Sequence, residues 1–323
     1  MVARDDNFAT GAQPFTALTD PGDGLAGLRV RQSVPFSWTS PFSYLGFERI
    51  GSNLSIAVDP LNSDTVYLAW GEGPLPGSAQ TVRVRRSIDR GATWSGDLLT
   101  VPNAVNPALA ITEGGKVGLL YQQLVTGSGG TQRWQTHVRI SHDAWASAAE
   151  DILLADTPED PATYPNWDPH LGDYADLQAH GHEFYGIFST NNVPDMANFP
   201  HGVRYQRNAD FTGKQLYDVS GITPVAISID PFFVHISWER EEEEPHRRRG
   251  LRRERLEMKG LHYERLEIDE LTLEFDDALH SDEDSDEDGA PEAGRIMRRL
   301  SHGLARFARR LERRRHRDDD DDT

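Results

Sequence analysis

Through residue 238 the chain alternates short runs of β-branched and aromatic residues with Gly-, Asn-, Asp- and Pro-rich turns, a pattern that predicts strands throughout. The runs recur in a fixed order. Residues 54–58, 108–111 and 174–178 are each expected to open a unit as its inner strand. A more apolar second run follows: Val66-Tyr67-Leu68-Ala69-Trp70, Val117-Gly118-Leu119-Leu120-Tyr121 and Phe184-Tyr185-Gly186-Ile187-Phe188. A third run carries a Val-Arg pair, at Val84-Arg85, Val138-Arg139 and Val203-Arg204, with an earlier copy at Val30-Arg31. The four copies lie 54, 54 and 65 residues apart. Asn62-Ser63-Asp64 and Glu113-Gly114-Gly115 read as hairpin tips.

Four strands per unit at about fifty residues matches the size of a propeller blade. The expected fold is therefore an all-β propeller with about four blades visible over residues 28–238, after an extension at 1–27. An ordinary β-sandwich is the alternative. Pro231-Phe232-Phe233-Val234-His235-Ile236-Ser237-Trp238 reads as a second run with no Val-Arg run after it. Closure by a blade shared between the two ends is one topology this allows. A part of a larger ring is the other, and the reading leans to it.

The stretch Ser87-Ile88-Asp89-Arg90-Gly91-Ala92-Thr93-Trp94 carries the strongest motif. Asp89 is placed to accept backbone N–H groups of its own turn, Gly91 to supply positive φ, and Trp94 to anchor the turn. Ser141-His142-Asp143-Ala144-Trp145 reads as a degenerate copy that lacks the Gly and Thr. With the repeat spacing, Ser87, Asp89, Gly91, Thr93 and Trp94 resemble the Asp-box (BNR-repeat) of the sialidase-like propeller superfamily. The segments Leu171-Gly172-Asp173-Tyr174 and Ser228-Ile229-Asp230-Pro231 are similar to bacterial exo-α-sialidase-like proteins of that group. The resemblance covers residues 28–238. It implies a structural role for the box and secretion for the protein, although Met1 to Asp6 shows no signal peptide.

Composition narrows the chemistry. The net charge of −19 from 33 Lys+Arg and 52 Asp+Glu disfavours nucleic acid as a partner. With no cysteine there is no disulfide or thiolate chemistry. No apolar run approaches a membrane span. Beyond residue 238 the composition changes. Residues 239–293 read as a charged linker that includes Leu266, Ile268, Leu271, Leu273 and Phe275 at mostly alternating positions and an acidic run at 281–288. Ile296, Leu300, Leu304, Phe307 and Leu311 follow at helical spacing among arginines, so 294–317 is expected to form a basic amphipathic helix. Its partner is either an acidic surface or the chain's own acidic linker and 318–323 tail.

Sialidases of the resembling family use an arginine triad, a tyrosine–glutamate nucleophile pair and an aspartate. The motifs for these are not matched: Phe47-Glu48-Arg49-Ile50-Gly51 departs from the family's Arg-Ile-Pro signature. Arg31, Arg85, Arg139 and Arg204 are expected in surface or inter-blade ion pairs. The best polar cluster is 164–176. There Asp173 and Tyr174, then His170 and Asp168, are the candidate site residues, placed to hold a sugar or to cap a turn. No cofactor or metal is expected; His180 and His182 lack a third ligand. The expected function is a non-catalytic surface that binds a glycan or protein. The alternatives are an exo-α-sialidase-type glycoside hydrolase with its catalytic set incomplete, and an interaction protein acting through the basic helix.

Overall fold

The computed structural model describes residues 1–35, 53–73, 80–127, 130–158, 171–172 and 174–238. All of them fall in one compact unit, Met1–Tyr263; the second unit, Glu264–Thr323, lies outside the described residues. The linker, basic helix and acidic tail expected there lie outside them too.

The fold is all-β, and its described residues hold no α-helix. The first sheet runs β1 (Leu54–Val58), β2 (Val66–Glu72), β3 (Thr81–Ser87) and β4 (Leu99–Pro102), each antiparallel to the last. The second repeats that order with β5 (Ala104–Ile111), β6 (Val117–Thr126), β7 (Gln132–Ser141) and β8 (Glu150–Pro158). A third sheet has the order β9 (Asp176–His180), β10 (Glu183–Asn191), β13 (Ile229–Ile236). Between β10 and β13 lie a 3-10 turn, Met196–Asn198, and the hairpin of β11 (Asn208–Asp210) with β12 (Gln215–Tyr217).

The hairpin tips expected at residues 62–64 and 113–115 join β1 to β2 and β5 to β6. Three expectations need correction. Val30 to Ser33 forms a bend rather than a strand. Val30 instead packs over Leu68 and Trp70, and its carbonyl accepts a hydrogen bond from Arg85. Val203-Arg204 is irregular, and the third position of its unit belongs to Ile229–Ile236. The reason is the period. Phe232, Val234 and Ile236 alternate inward as a strand requires, whereas Val203 follows a break at Gly202, whose φ is 84°. Pro231 is tolerated there because β13 is an edge strand among the described residues. Among the described residues, those of the N-terminal part do not share a sheet with β13. Tyr174 also lies ahead of its strand rather than in it.

The sheets stack face to face through two cores. Tyr67, Ala69, Val82 and Val84 of the first sheet meet Leu109, Val117, Leu119 and Tyr121 of the second. On the other face of the second sheet, Leu120, Val138, Ile140 and Ile152 meet Leu177, Phe184, Phe188 and Val234 of the third. β6 lies between two sheets and β2 between the second sheet and Val30, so both bury their two faces, which explains their near-continuous apolar runs. Burying one such side chain fully stabilises by roughly 1.5–3 kcal/mol.

Candidate functional site

The antiparallel order puts the ends of the strands into two groups. At one end lie the β1–β2 and β5–β6 turns and the Ser-x-Asp turns after β3 and β7. At the opposite end lie the start of β1, the β2–β3 and β6–β7 connections, and the link from β8 to β9. Residues 74–79, 128–129 and 159–170, together with Asp173, lie outside the described residues. So do His170 and Asp168, and only Tyr174 of the four candidate site residues is described.

The Ser-x-Asp end is a closed clip. Ser87 Oγ accepts from Gly91 N at 2.7 Å and donates to Asp89 at 2.7 Å. Asp89 accepts from the Thr93 backbone N–H at 2.8 Å and from the Thr93 hydroxyl at 2.6 Å. These bonds favour the ionised carboxylate and hold the Asp89 pKa at about 2. Gly91 has φ 85° and accepts at its carbonyl from Trp94 Nε1 at 3.0 Å.

The copy that looked degenerate folds the same way. Ser141 Oγ accepts from Trp145 N at 2.7 Å and donates to Asp143 at 3.0 Å. Ser147 takes the place of Thr93, and its hydrogen bond lowers the Asp143 pKa. Trp145 therefore stands at the position of Gly91, with φ 61°, rather than at that of Trp94. Its ring lies edge-on to Tyr67, with centroids 6.1 Å apart.

Arg31, Arg85 and Arg139 of the Val-Arg pairs are committed to ion pairs. Arg85 binds Asp97 at 2.7 Å and Arg139 binds Asp151 at 2.6 Å. Each guanidinium also lies over an aromatic ring of the neighbouring strand, Trp70 at 5.4 Å and Tyr121 at 5.5 Å. Burial pushes Asp151 up, but hydrogen bonds from His137 and Arg139 outweigh it and bring its pKa to about 2. Arg31 reaches Glu72 at 3.3 Å. Burial raises Glu72, yet Trp70 Nε1, Arg83 and Arg31 together hold it below the usual carboxylate range.

The opposite end is organised by side chains that the sequence reading passed over. In β5 the backbone is irregular between Val105 and Ala108, and Asn106 adopts φ 53°, a conformation Asn tolerates. This bulge buries the Asn106 carboxamide at the meeting of three sheets. Its oxygen accepts from Asn53 Nδ2 at 2.7 Å. Its nitrogen donates to Gln122 Oε1 at 2.8 Å and to Gly172 O at 2.9 Å. Gln122 Nε2 then donates to Ser189 O at 2.9 Å and Thr136 Oγ1 at 3.2 Å. Gln122 and Thr136 are buried as well, so the Asn106–Gln122 and Gln122–Thr136 bonds are shielded from water, while the bonds to Asn53, Gly172 and Ser189 are partly buried.

This network fixes the lead-in to the third sheet. Leu171 is buried with Val105, Leu124 and Trp134, and Gly172 follows with its carbonyl held by Asn106. A Cβ at residue 172 would lie 2.5 Å from Ser189 Oγ, so only glycine allows this approach. Tyr174 emerges two residues later with 66% of its surface exposed. A signal exists in the sequence for Asn106, a lone amide in an otherwise apolar run, whereas Gln122 is one of an adjacent pair with Gln123.

Among the described residues no group of three His, Cys, Asp or Glu side chains gathers as a metal site, and no helix is long and apolar enough to cross a membrane.

No protein-family model matches the chain, and no curated protein matches it. Solved structures with weak similarity to the chain include a sialidase and a glycoside hydrolase. Hadza microbial sialidase Hz136 aligns at TM-score 0.28 and 12% identity over 44% of this chain; the match spans only 29% of the sialidase. A thermostable family-43 glycoside hydrolase aligns at TM-score 0.27 and 11% identity, over 68% of this chain and 80% of its own.

Proposed function

We propose that the stacked sheets form a sialidase-like Asp-box propeller whose loop-bearing end is a non-catalytic binding surface for a glycan or a protein. The observation that carries this reading is the buried amide chain Asn53–Asn106–Gln122. It links three sheets and pins Gly172 beneath the exposed Tyr174. Tyr174, with Asp173, His170 and Asp168 close to it in sequence, would contact the ligand: an aromatic face for the apolar side of a sugar ring, and polar groups for its hydroxyls. The Ser87 and Ser141 turns would clip the outer strands at the far end.

The test is binding of the whole chain to an immobilised panel of sialylated and neutral oligosaccharides. Tyr174→Ala and Asp173→Ala should each weaken binding at least tenfold without shifting the unfolding midpoint. Release of fluorophore from a fluorogenic sialoside by the wild-type chain, abolished by Tyr174→Phe, would replace the binding reading with that of a glycosidase.

A further inference from the structure

Residues 1–35 run along the face of the first sheet that points away from the second. At mid-sheet, Val2, Val30 and Val34 pack with Trp94 over Leu68 and Trp70. At the Ser-x-Asp end, Leu18 and Val2 lie 3.5 and 3.6 Å from where a Cβ on Gly91 would stand, and Arg4 donates to Arg90 O at 2.9 Å. At the opposite end Gly73 N donates to Pro35 O at 2.8 Å. Between them Arg31 pairs with Glu72, and Arg85 donates to Val30 O.

The second sheet shows what fills the same places elsewhere in the stack. Its Trp145, at the position of Gly91, packs on Tyr67 of the first sheet. Its Leu119 and Tyr121 share a core with Ala69 and Val82 of that sheet. Residues 1–35 thus stand where a neighbouring sheet would, but they are held more loosely. Within them only Leu18, Asp20, Gly27 and Val30 are buried, whereas every residue of β2 is. Among the described residues their β-bridges are internal, Val2 to Leu28 and Thr19 to Ala26 and Gly27, so no strand ladder joins them to the sheet. A stretch with few buried contacts opens at a lower free energy than the core it covers. The first sheet keeps its own core when that happens, because Tyr67, Ala69, Val82 and Val84 are buried on its other face.

We infer that residues 1–35 form a strap that leaves the first sheet as a unit while the sheets stay folded, uncovering Leu68 and Trp70. Opening parts Arg31 from Glu72 and Arg85 from Val30 O. It also frees Gly91 from Val2 and Leu18, which gives the Ser87 turn a second role as the dock of the strap.

The chain has no cysteine, so one introduced thiol reports the opening. Leu68→Cys puts it under the strap and Leu119→Cys between the first two sheets, each checked by circular dichroism for an unchanged fold. Under native conditions the thiol of Leu68→Cys should react with an aromatic disulfide reagent about a hundredfold faster than that of Leu119→Cys. Adding Val30→Asp should speed the first by a further factor of about ten and leave the second unchanged. Amide hydrogen exchange of the wild type reads the same event without substitutions. Val2, Leu28 and Gly73 should share one level of protection, about a hundredfold below that of Leu119 and Leu120. Equal labelling of the two thiols overturns the inference, as does a Val30→Asp effect of the same size on both. Protection of Val2, Leu28 and Gly73 equal to that of Leu119 does so too, since the segment would then part from the sheets only in global unfolding.

Discussion

Replacing Gln122 by leucine probes the amide chain at the loop-bearing end with little change of volume. The buried carboxamide makes three hydrogen bonds, to Asn106 and Thr136 in the interior and to Ser189 O in a partly buried position. Each is worth about 0.5–1.5 kcal/mol net, and each partner left unpaired in the interior costs about 1–3 kcal/mol. Asn106 keeps its bond to Gly172, so the exposed loss falls mainly on Ser189 O and Thr136 Oγ1. Gln122→Leu is therefore expected to destabilise the fold by about 2–4 kcal/mol. Gln123→Leu is the control: its single bond, to Pro102 O at 2.9 Å, is exposed, and its loss should cost less than about 1 kcal/mol. Urea unfolding followed by tryptophan fluorescence reads both. At a slope of about 3 kcal/mol per molar, the Gln122→Leu midpoint drops by about 1 M with the slope unchanged. A drop no larger than that of Gln123→Leu would refute the reasoning.

Further outcomes follow from the turns. Gly91→Ala should cost about 1–2 kcal/mol in urea unfolding. The cost comes from φ 85° alone, because the new Cβ meets nothing closer than 3.5 Å; Gly96→Ala, in open space at ordinary φ, should be neutral. Ser141→Ala should destabilise by about 1–2 kcal/mol, showing that the copy with Trp145 at the glycine position is a working turn. Asp89 has a folded pKa of about 2, below its unfolded value. Its stabilising contribution is complete above about pH 4 and is lost as pH falls toward 2. The urea midpoint of Asp89→Asn should accordingly fall less steeply than that of the wild type between pH 5 and 2.

The strands of the first two sheets were legible because each middle strand is buried on both faces and each Val-Arg run alternates cleanly. The third sheet was misread at one point. Val203-Arg204 copies the motif, but the period-2 pattern that a strand needs resides in Phe232, Val234 and Ile236, some thirty residues further on. A motif of two residues is weaker evidence than alternation over a whole strand. Val30 misled for a related reason: its apolar side chain is buried, but as a lid over Leu68 and Trp70. The second Ser-x-Asp turn was underrated because Trp145 was matched to Trp94 by residue type. Counting from the serine aligns it with Gly91 and aligns Ser147 with Thr93. Of the candidate site, Tyr174 alone lies among the described residues, ahead of β9 rather than in it. The amides beneath it escaped notice because Asn and Gln are ordinary surface residues until folding buries them.

The central claim is that the end bearing Tyr174 binds the ligand and the end bearing the Ser-x-Asp turns does not. Binding of the whole chain to a glycan panel tests it most directly, with Tyr174→Ala set against Ile88→Ser, an exposed change in the Ser87 turn. Tyr174→Ala is expected to lose at least tenfold in affinity for whichever oligosaccharide the wild type holds, and Ile88→Ser to lose none. A ligand whose affinity survives Tyr174→Ala but falls with Ile88→Ser would contradict the account.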